Sequence, residues 1–248
     1  MIDAHAHLDA CKPAAEELIA RAKAAGVETI LSVGTNIDSC SETIAIAERH
    51  EEAFAILGIH PHEAGGADAW RLDRLESLLA SPRAVALGEI GLDYYRDRAP
   101  QAAQKELFRA QLELAARLRK PVVIHTREAD EDTPAALEIF AGTIVLHCFS
   151  SPALLPWALE RDCYVSFAGN VTYPSASELR DAARLVPPER LLVESDCPFL
   201  APEPERGHPN EPAFVAHTLA ALAELLAEPA AELAERTAAN TRAAFSLP

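Results

Sequence analysis

Residues 2–33, IDAHAHLDACKPAAEELIARAKAAGVETILSV, hold one complete strand–helix–strand unit, and most of the chain repeats its rhythm. Ile2 to His7 is a short run with strand character, and Ala14 to Ala25 places apolar residues three and four apart among good helix formers. Gly26 interrupts that pattern before a second strand, Glu28 to Val33. Further strands are expected at Ala53–Ile59, Ala84–Ile90, Val122–His125, Ile144–His147, Tyr164–Phe167 and Leu191–Glu194. Segments such as Gln101–Arg119 and Ser175–Leu185 have helical spacing, while Pro121 and Pro187-Pro188 punctuate the returns to strand. Strands alternating with helices imply parallel pairing through right-handed crossovers. Eight such units in 248 residues match the size of a TIM (β/α)8 barrel. Two further helices, Pro212–Ala227 and Pro229–Phe245, are expected as C-terminal additions. An open doubly wound sheet is the alternative, but no Gly-x-Gly-x-x-Gly follows any strand.

Composition narrows the class. With 49% hydrophobic and 24% charged residues, the chain reads as a globular α/β protein, expected as one domain over residues 1–248. No linker, low-complexity tract or fixed-period repeat interrupts it. No stretch approaches the roughly 20 apolar residues of a membrane span, and the start shows no basic-then-apolar leader. Five cysteines without a Cys-x-x-Cys pair suggest free thiols in a reducing cytoplasm. A net charge of −16 argues against non-specific nucleic-acid binding, which relies on basic residues. It leaves a phosphate substrate open, because bound divalent cations can make one cleft positive. Nothing points to a membrane or an obligate protein partner, and a monomer is expected.

The chemistry lies at the strand ends. The first strand closes on His5 and His7, the third on His60-Pro61-His62, and the fourth on Glu89. The fifth closes on His125, the sixth on His147, and the eighth runs into Asp196. In a barrel these ends form the rim where catalytic residues gather. Strand alternation turns His5 and His7 to one side, and with Asp3 they make an inward polar stripe. Singly, each residue has a simpler account: a hydrogen-bonded histidine, a carboxylate on loop amides, a turn aspartate. Jointly they call for a divalent metal site. Four histidines and two carboxylates suffice for two ions, with Glu89 as bridge. No lysine falls at a C-terminal strand end, so the carbamylated lysine of other barrel hydrolases has no place here. Mixed imidazole and carboxylate donors suit Zn or Mn and tolerate Mg.

In order along the chain, Asp3-Ala4-His5-Ala6-His7-Leu8, Gly58-Ile59-His60-Pro61-His62 and Gly88-Glu89-Ile90-Gly91-Leu92-Asp93-Tyr94-Tyr95 are followed by Pro121-Val122-Val123-Ile124-His125-Thr126-Arg127-Glu128-Ala129. Then come His147-Cys148-Phe149-Ser150, Glu194-Ser195-Asp196-Cys197-Pro198-Phe199-Leu200-Ala201-Pro202 and Arg206-Gly207-His208-Pro209-Asn210-Glu211-Pro212. Over nearly its whole length the sequence resembles the TatD family of metal-dependent deoxyribonucleases, a branch of the amidohydrolase-like barrels. The resemblance implies a dinuclear site: one ion on His5, His7, Glu89 and Asp196, the other on Glu89, His125 and His147. It implies hydrolysis of DNA, often from the 3′ end. Where Ser151 and Ser195 stand, the family usually carries Gly and Thr.

In such a site the ions activate water, with Asp196 as metal ligand and acceptor of that water's proton. His62, Arg127 and Asn170 are the candidate contacts to the phosphate or adjoining sugar. Arg127 could instead pair with Glu128, Asp130 or Asp132, and His62 could serve loop structure. Tyr94-Tyr95 could stack on a base or pack beneath its loop. Cys148 and Cys197 flank ligands and are expected to point away from them. The same ligands would serve an amidohydrolase, a lactonase or an aminoacyl-tRNA deacylase, since loops set the substrate. A scaffold binding metal without turnover is the remaining alternative.

Overall fold

Eight parallel strands follow one another around a single sheet in sequence order, each paired with the next. The computed structural model describes residues 1–96 and 98–248. The first half runs β1 (Ile2–Ala6), α1 (Ala15–Ala24), β2 (Thr29–Gly34), α2 (Ile37–Arg49), β3 (Ala53–Leu57), α3 (Leu72–Leu79), β4 (Ala84–Asp93) and α4 (Gln101–Leu118). The second half runs β5 (Val122–Arg127), α5 (Asp132–Leu137), β6 (Ile144–Leu146), α6 (Leu155–Glu160), β7 (Tyr164–Phe167), α7 (Ser177–Leu185), β8 (Leu191–Val193), α8 (Val215–Leu226) and α9 (Ala230–Phe245). The (β/α)8 expectation holds. The two helices expected as additions, α8 and α9, both follow β8, and α9 packs against β8 and β1. Among the described residues, no single helix is long and apolar enough to cross a membrane.

Two apolar layers build the barrel. The outer one packs strand residues such as Ile30, Leu57, Leu87 and Ile124 against helix residues such as Leu18, Ile44, Leu107 and Leu219. The inner one takes the alternate set from the strands: Ala4, Leu31, Val33, Ile56, Ala86, Val123, Val145 and Leu192. Ala244 and Phe245, at the end of α9, join this inner layer. Burying a Val, Leu, Ile or Phe side chain contributes roughly 1.5–3 kcal/mol, so the inner layer is a packed core and only the rim above it is free to be polar.

Three strand registers slip by one residue, and two of the slips fall on candidate ligands. Asp3 pairs with Ile30 but Ala6 with Ser32, so β1 carries one residue more than β2 between them. Leu87 pairs with Val122 but Ile90 with Ile124, so β4 carries one more than β5. A bulge of this kind re-aims a side chain. Ala4 already faces the interior, and strict alternation would turn His5 outward. The slip brings His5 inward as well, just as it brings Glu89 inward after Ala86. Contrary to the expectation from alternation, Asp3 does not share the histidines' stripe. Its carboxylate accepts hydrogen bonds from the Ser195 amide at 2.8 Å and the His5 amide at 3.3 Å, fully buried at the seam between β1 and β8. Burial pushes its carboxyl up to about 7. The Asp196 amide, donating to the His5 carbonyl at 2.9 Å, and the His7 amide, donating to the Cys197 carbonyl at 2.8 Å, complete that seam.

The extended β4 depends on Gly91. Its φ is +140°, and a Cβ there would lie 2.0 Å from the His125 carbonyl oxygen. Both the backbone and the neighbouring strand therefore demand glycine. Gly91→Ala is expected to cost about 3 kcal/mol of stability, from left-side backbone strain plus the clash. Urea unfolding of the purified variant measures it, and a change below about 0.5 kcal/mol would contradict the geometry.

Candidate metal centre

Glu89 stands 3% exposed at the middle of the rim. Its two oxygens face different neighbours. Oε2 lies 3.6 Å from His5 Nε2 and 3.7 Å from His7 Nε2. Oε1 lies 2.7 Å from His125 Nδ1, 2.8 Å from His147 Nε2 and 3.4 Å from His60 Nε2. Asp196, held at φ +55° just past β8, puts Oδ1 3.5 Å from His7 Nε2 and 3.9 Å from His5 Nε2. Four of the residues named as ligands from sequence, His5, His7, His125 and His147, thus face the Glu89 carboxylate, and Asp196 faces His5 and His7.

The donor chemistry fits divalent ions. His5 Nε2 and His7 Nε2 are 3.3 Å apart, and each lies between 3.5 and 3.9 Å from Glu89 Oε2 and from Asp196 Oδ1. Most are longer than hydrogen bonds. Donors about 2.0–2.1 Å from a tetrahedral ion are separated by about 3.4 Å, close to this spread. Tautomers agree. His7 Nδ1–H donates to the Val33 carbonyl at 3.2 Å, and His147 Nδ1–H to Glu194 at 3.0 Å, which leaves each Nε2 lone pair aimed at the cluster. His125 Nε2–H donates to Asp93 at 3.0 Å, leaving Nδ1 toward Glu89. Orienting partners of this type raise ligand basicity and fix ring direction.

Protons take the cationic role when no ion is bound. Burial opposes it, but the Asp196 hydrogen bond and the Glu89 charge raise His7 to about 9. Against the same penalty, the Glu89 and Glu194 charges hold His147 well above the ordinary imidazole range. Burial, then the His147 charge, brings His5 down to about 3. Glu89 would be raised by burial, yet the His147 and His60 charges hold it well below the usual carboxylate range. Metal binding at such a cluster displaces protons.

Comparison with known proteins agrees with the geometry. The family described as TatD related DNase matches residues 2–246. The chain belongs to the TatD family. It is 40% identical to an uncharacterized metal-dependent hydrolase TatD of Mycobacterium tuberculosis, across 100% of this chain and 98% of that one. It is 35% identical to the protein named 3′-5′ ssDNA/RNA exonuclease TatD of Citrobacter rodentium, across 94% and 92% respectively. The crystal structure of YjjV, a TatD homolog from Escherichia coli K12, superposes with a TM-score of 0.92 at 32% identity, covering 100% of this chain and 98% of that one. The TatD chain described here is accordingly a metal-dependent hydrolase.

Around the TatD centre, His60, read from sequence as a strand-end histidine and not as a ligand, lies 3.4 Å from Glu89, and its Nδ1 accepts the His62 amide at 3.1 Å. Burial brings His60 down to about 4, so the neutral ring carries its proton on Nε2. His60 is therefore a donor to Glu89 rather than a ready ligand, although proximity alone groups it with Glu89 and His125. Other residues there were not singled out from sequence. Asp93 is 1% exposed with both oxygens engaged. Oδ1 accepts the Tyr95 and Arg96 amides, and Oδ2 meets His62 at 2.9 Å and His125 at 3.0 Å. Glu194 turns His147 and also accepts the Cys148 amide at 2.8 Å. From α4, Gln104 binds the backbone of Asp93, and Gln111 binds both backbone groups of Ile59. Two glutamines seven apart on the buried face of a helix were the available signal.

The expected substrate contacts line a cavity of about 650 Å³ above the centre: His62, Arg127 and Asn170 all border it. His62 is tied to Asp93, which gives it a loop role in addition. Among the described residues Arg127 has no carboxylate partner. Asp130 accepts Ser151 Oγ–H at 2.6 Å, and Asp132 takes Tyr94 and Lys105. The Arg127 guanidinium lies instead over the Tyr95 ring at 3.9 Å. Among the described residues, Asn170 Oδ1 is buried without a partner. Tyr94 is half-buried against the outer core, its hydroxyl donating to Asp132 at 2.7 Å, while Tyr95 stays exposed. Ser195 keeps the hydroxyl that threonine would bring, accepting the Cys197 amide at 3.2 Å. Cys197 turns away from the centre, its sulfur 3.8 Å from that of Cys11. Cys148, at φ +43°, breaks the strand alternation and borders the cavity.

Proposed function

We propose that this chain is an exonuclease-like phosphodiesterase acting on single-stranded nucleic acid, DNA foremost, through two divalent ions. His5, His7, Glu89 and Asp196 would hold one ion and Glu89, His125 and His147 the other. The observation that carries the reading is Glu89, whose two oxygens face two separate sets of imidazole nitrogens. Bound there, the ions would supply Lewis acidity and acidify a coordinated water. Asp196 borders the cavity beside His7, where its carboxylate would accept a proton from the attacking water. Arg127, pinned by Tyr95, presents guanidinium N–H groups to phosphate oxygens. Asn170 offers the adjoining wall an oxygen that has no hydrogen-bond partner among the described residues. Glu194 and Asp93 keep the His147 and His125 rings in the tautomer that faces Glu89.

Three arginines, Arg96, Arg98 and Arg127, border the same cavity in a chain of net charge −16. Asp9, Glu63, Glu89, Asp93 and Asp196 border it too, so it is with divalent ions bound at the centre that the arginines would favour an anionic substrate over a neutral amide or lactone. The name of the Citrobacter rodentium relative, and the family description, support nucleic acid. The test removes metal with chelator, restores Mn, Mg or Zn singly, and follows an end-labelled single strand alongside amide, lactone and aminoacyl-ester panels. Cleavage of the strand is expected to vanish on chelation and return with metal. Full cleavage by metal-free protein, or turnover confined to another panel, would overturn the proposal.

A further inference from the structure

We propose that Phe199 is the platform on which this enzyme seats the nucleobase beside the bond it cuts, with the arginine wall across the cavity holding the sugar-phosphate backbone. The inference rests on the phosphodiesterase reading and adds the residue that recognises the base. Phe199 is 56% exposed, one of few large apolar side chains left in solvent. It borders the cavity and stands edge-on to His7, with ring centroids 5.8 Å apart. It is thus about one ring's breadth from the His5, His7 and Asp196 half of the centre.

Its backbone is not loose. Asn210, itself 3% exposed, donates through Nδ2 to the carbonyls of Phe199 and Ser195, each at 2.6 Å. The Phe199 amide donates to the Asp196 carbonyl at 2.9 Å, and the Asn210 amide to the Pro198 carbonyl at 3.2 Å. The loop therefore fixes an apolar ring in open solvent beside the candidate ligands. A scattered surface phenylalanine needs no explanation; one locked at the lip of a metal cavity does.

The two walls divide the labour. Arg96, Arg98 and Arg127 lie at the ends of β4 and β5, whereas Phe199 follows β8 on the other side of Glu89. Phosphates track the cationic wall. The opposite wall offers a π-face without donors or acceptors, which stacks any base and reads none. Tyr95 is the rival platform at 53% exposure, but the Arg127 guanidinium covers one of its faces. A paired base inside a duplex has both faces stacked on its neighbours, so only an unpaired terminal nucleotide reaches Phe199. Recognition is then tolerant of sequence and selective for a frayed or single-stranded end.

The test compares kcat/KM on a single-stranded oligodeoxynucleotide with two otherwise identical strands, one carrying an abasic tetrahydrofuran residue at the 3′ terminus and one at the 5′ terminus. The metal-loaded enzyme is expected to prefer the intact strand about tenfold over whichever abasic substrate alters the digested end. Phe199→Ala is expected to reduce that preference to about twofold or less. Phe199→Leu, which keeps apolar contact with His7 but lacks a ring, should behave as Phe199→Ala does, whereas Phe199→Tyr retains the preference. Metal content and circular dichroism of each variant report folding separately. An unaltered preference in folded, metal-replete Phe199→Ala, or no preference in the parent enzyme, overturns the platform alone. Failure of the parent enzyme to cut any strand, with metal bound, overturns the phosphodiesterase reading and the platform with it.

Discussion

Glu89→Gln is expected to leave at most one tightly held ion per chain and to lower kcat/KM on single-stranded DNA by about 10³-fold or more. The substitution keeps shape and volume but removes the negative charge around which His5, His7, His125 and His147 are arranged. An amide offers one oxygen, and its NH2 end would be directed at imidazole nitrogens that need an acceptor or an ion. A 10³-fold loss corresponds to about 4 kcal/mol of transition-state stabilisation, within reach of a single preorganised electrostatic element. Elemental analysis of the dialysed variant gives the stoichiometry, and steady-state kinetics give the rate. Two ions per chain together with parental turnover would remove Glu89 from the bridging position.

Asp196→Asn is expected to lower kcat by 10²- to 10⁴-fold, the usual span for loss of a general base, while KM for the oligonucleotide changes little. The position makes the test clean. Asp196 sits at φ +55°, and asparagine adopts the left-handed region as readily as aspartate, so the backbone turn and the amide bond to His5 survive. Asparagine retains one oxygen toward His7 but cannot take a proton near neutral pH. A kcat within tenfold of the parent, measured at saturating metal, would assign proton acceptance elsewhere. A rise in KM alone would make Asp196 a binding group.

The sequence was sufficient for the barrel because its two signals reinforce one another. Apolar strands alternating with 3.6-periodic helices set the topology, and chemically distinctive residues marked the ends of several strands. It also offered six candidate ligands, which the fold gathers at one rim although Glu89 lies inside β4 rather than at its end. It failed at Asp3, where strict alternation gave the wrong partner. Whether a bulge occurs between Asp3 and Ala6 depends on how Ile30 and Ser32 are aligned by the neighbouring strand, and one chain segment carries no record of its partner's register. Asp93 was missed because the expected fourth strand ends at Ile90, whereas β4 continues to Asp93 with Gln104 holding its last backbone groups.

Sequence by itself therefore determined the (β/α)8 architecture and the family, and offered the residues proposed to hold metal. Periodicity and ligand chemistry are local properties that survive without coordinates. Tertiary structure decided what those residues face. The β4 slip turns Glu89 between two imidazole sets. The tautomers imposed by Val33, Glu194 and Asp93 distinguish His7, His147 and His125 from His60. The Asn210 clamp leaves the Phe199 ring in open solvent beside His7. Each of these depends on contacts between strands and loops distant in the chain, where one residue of register or one hydrogen bond redirects a side chain.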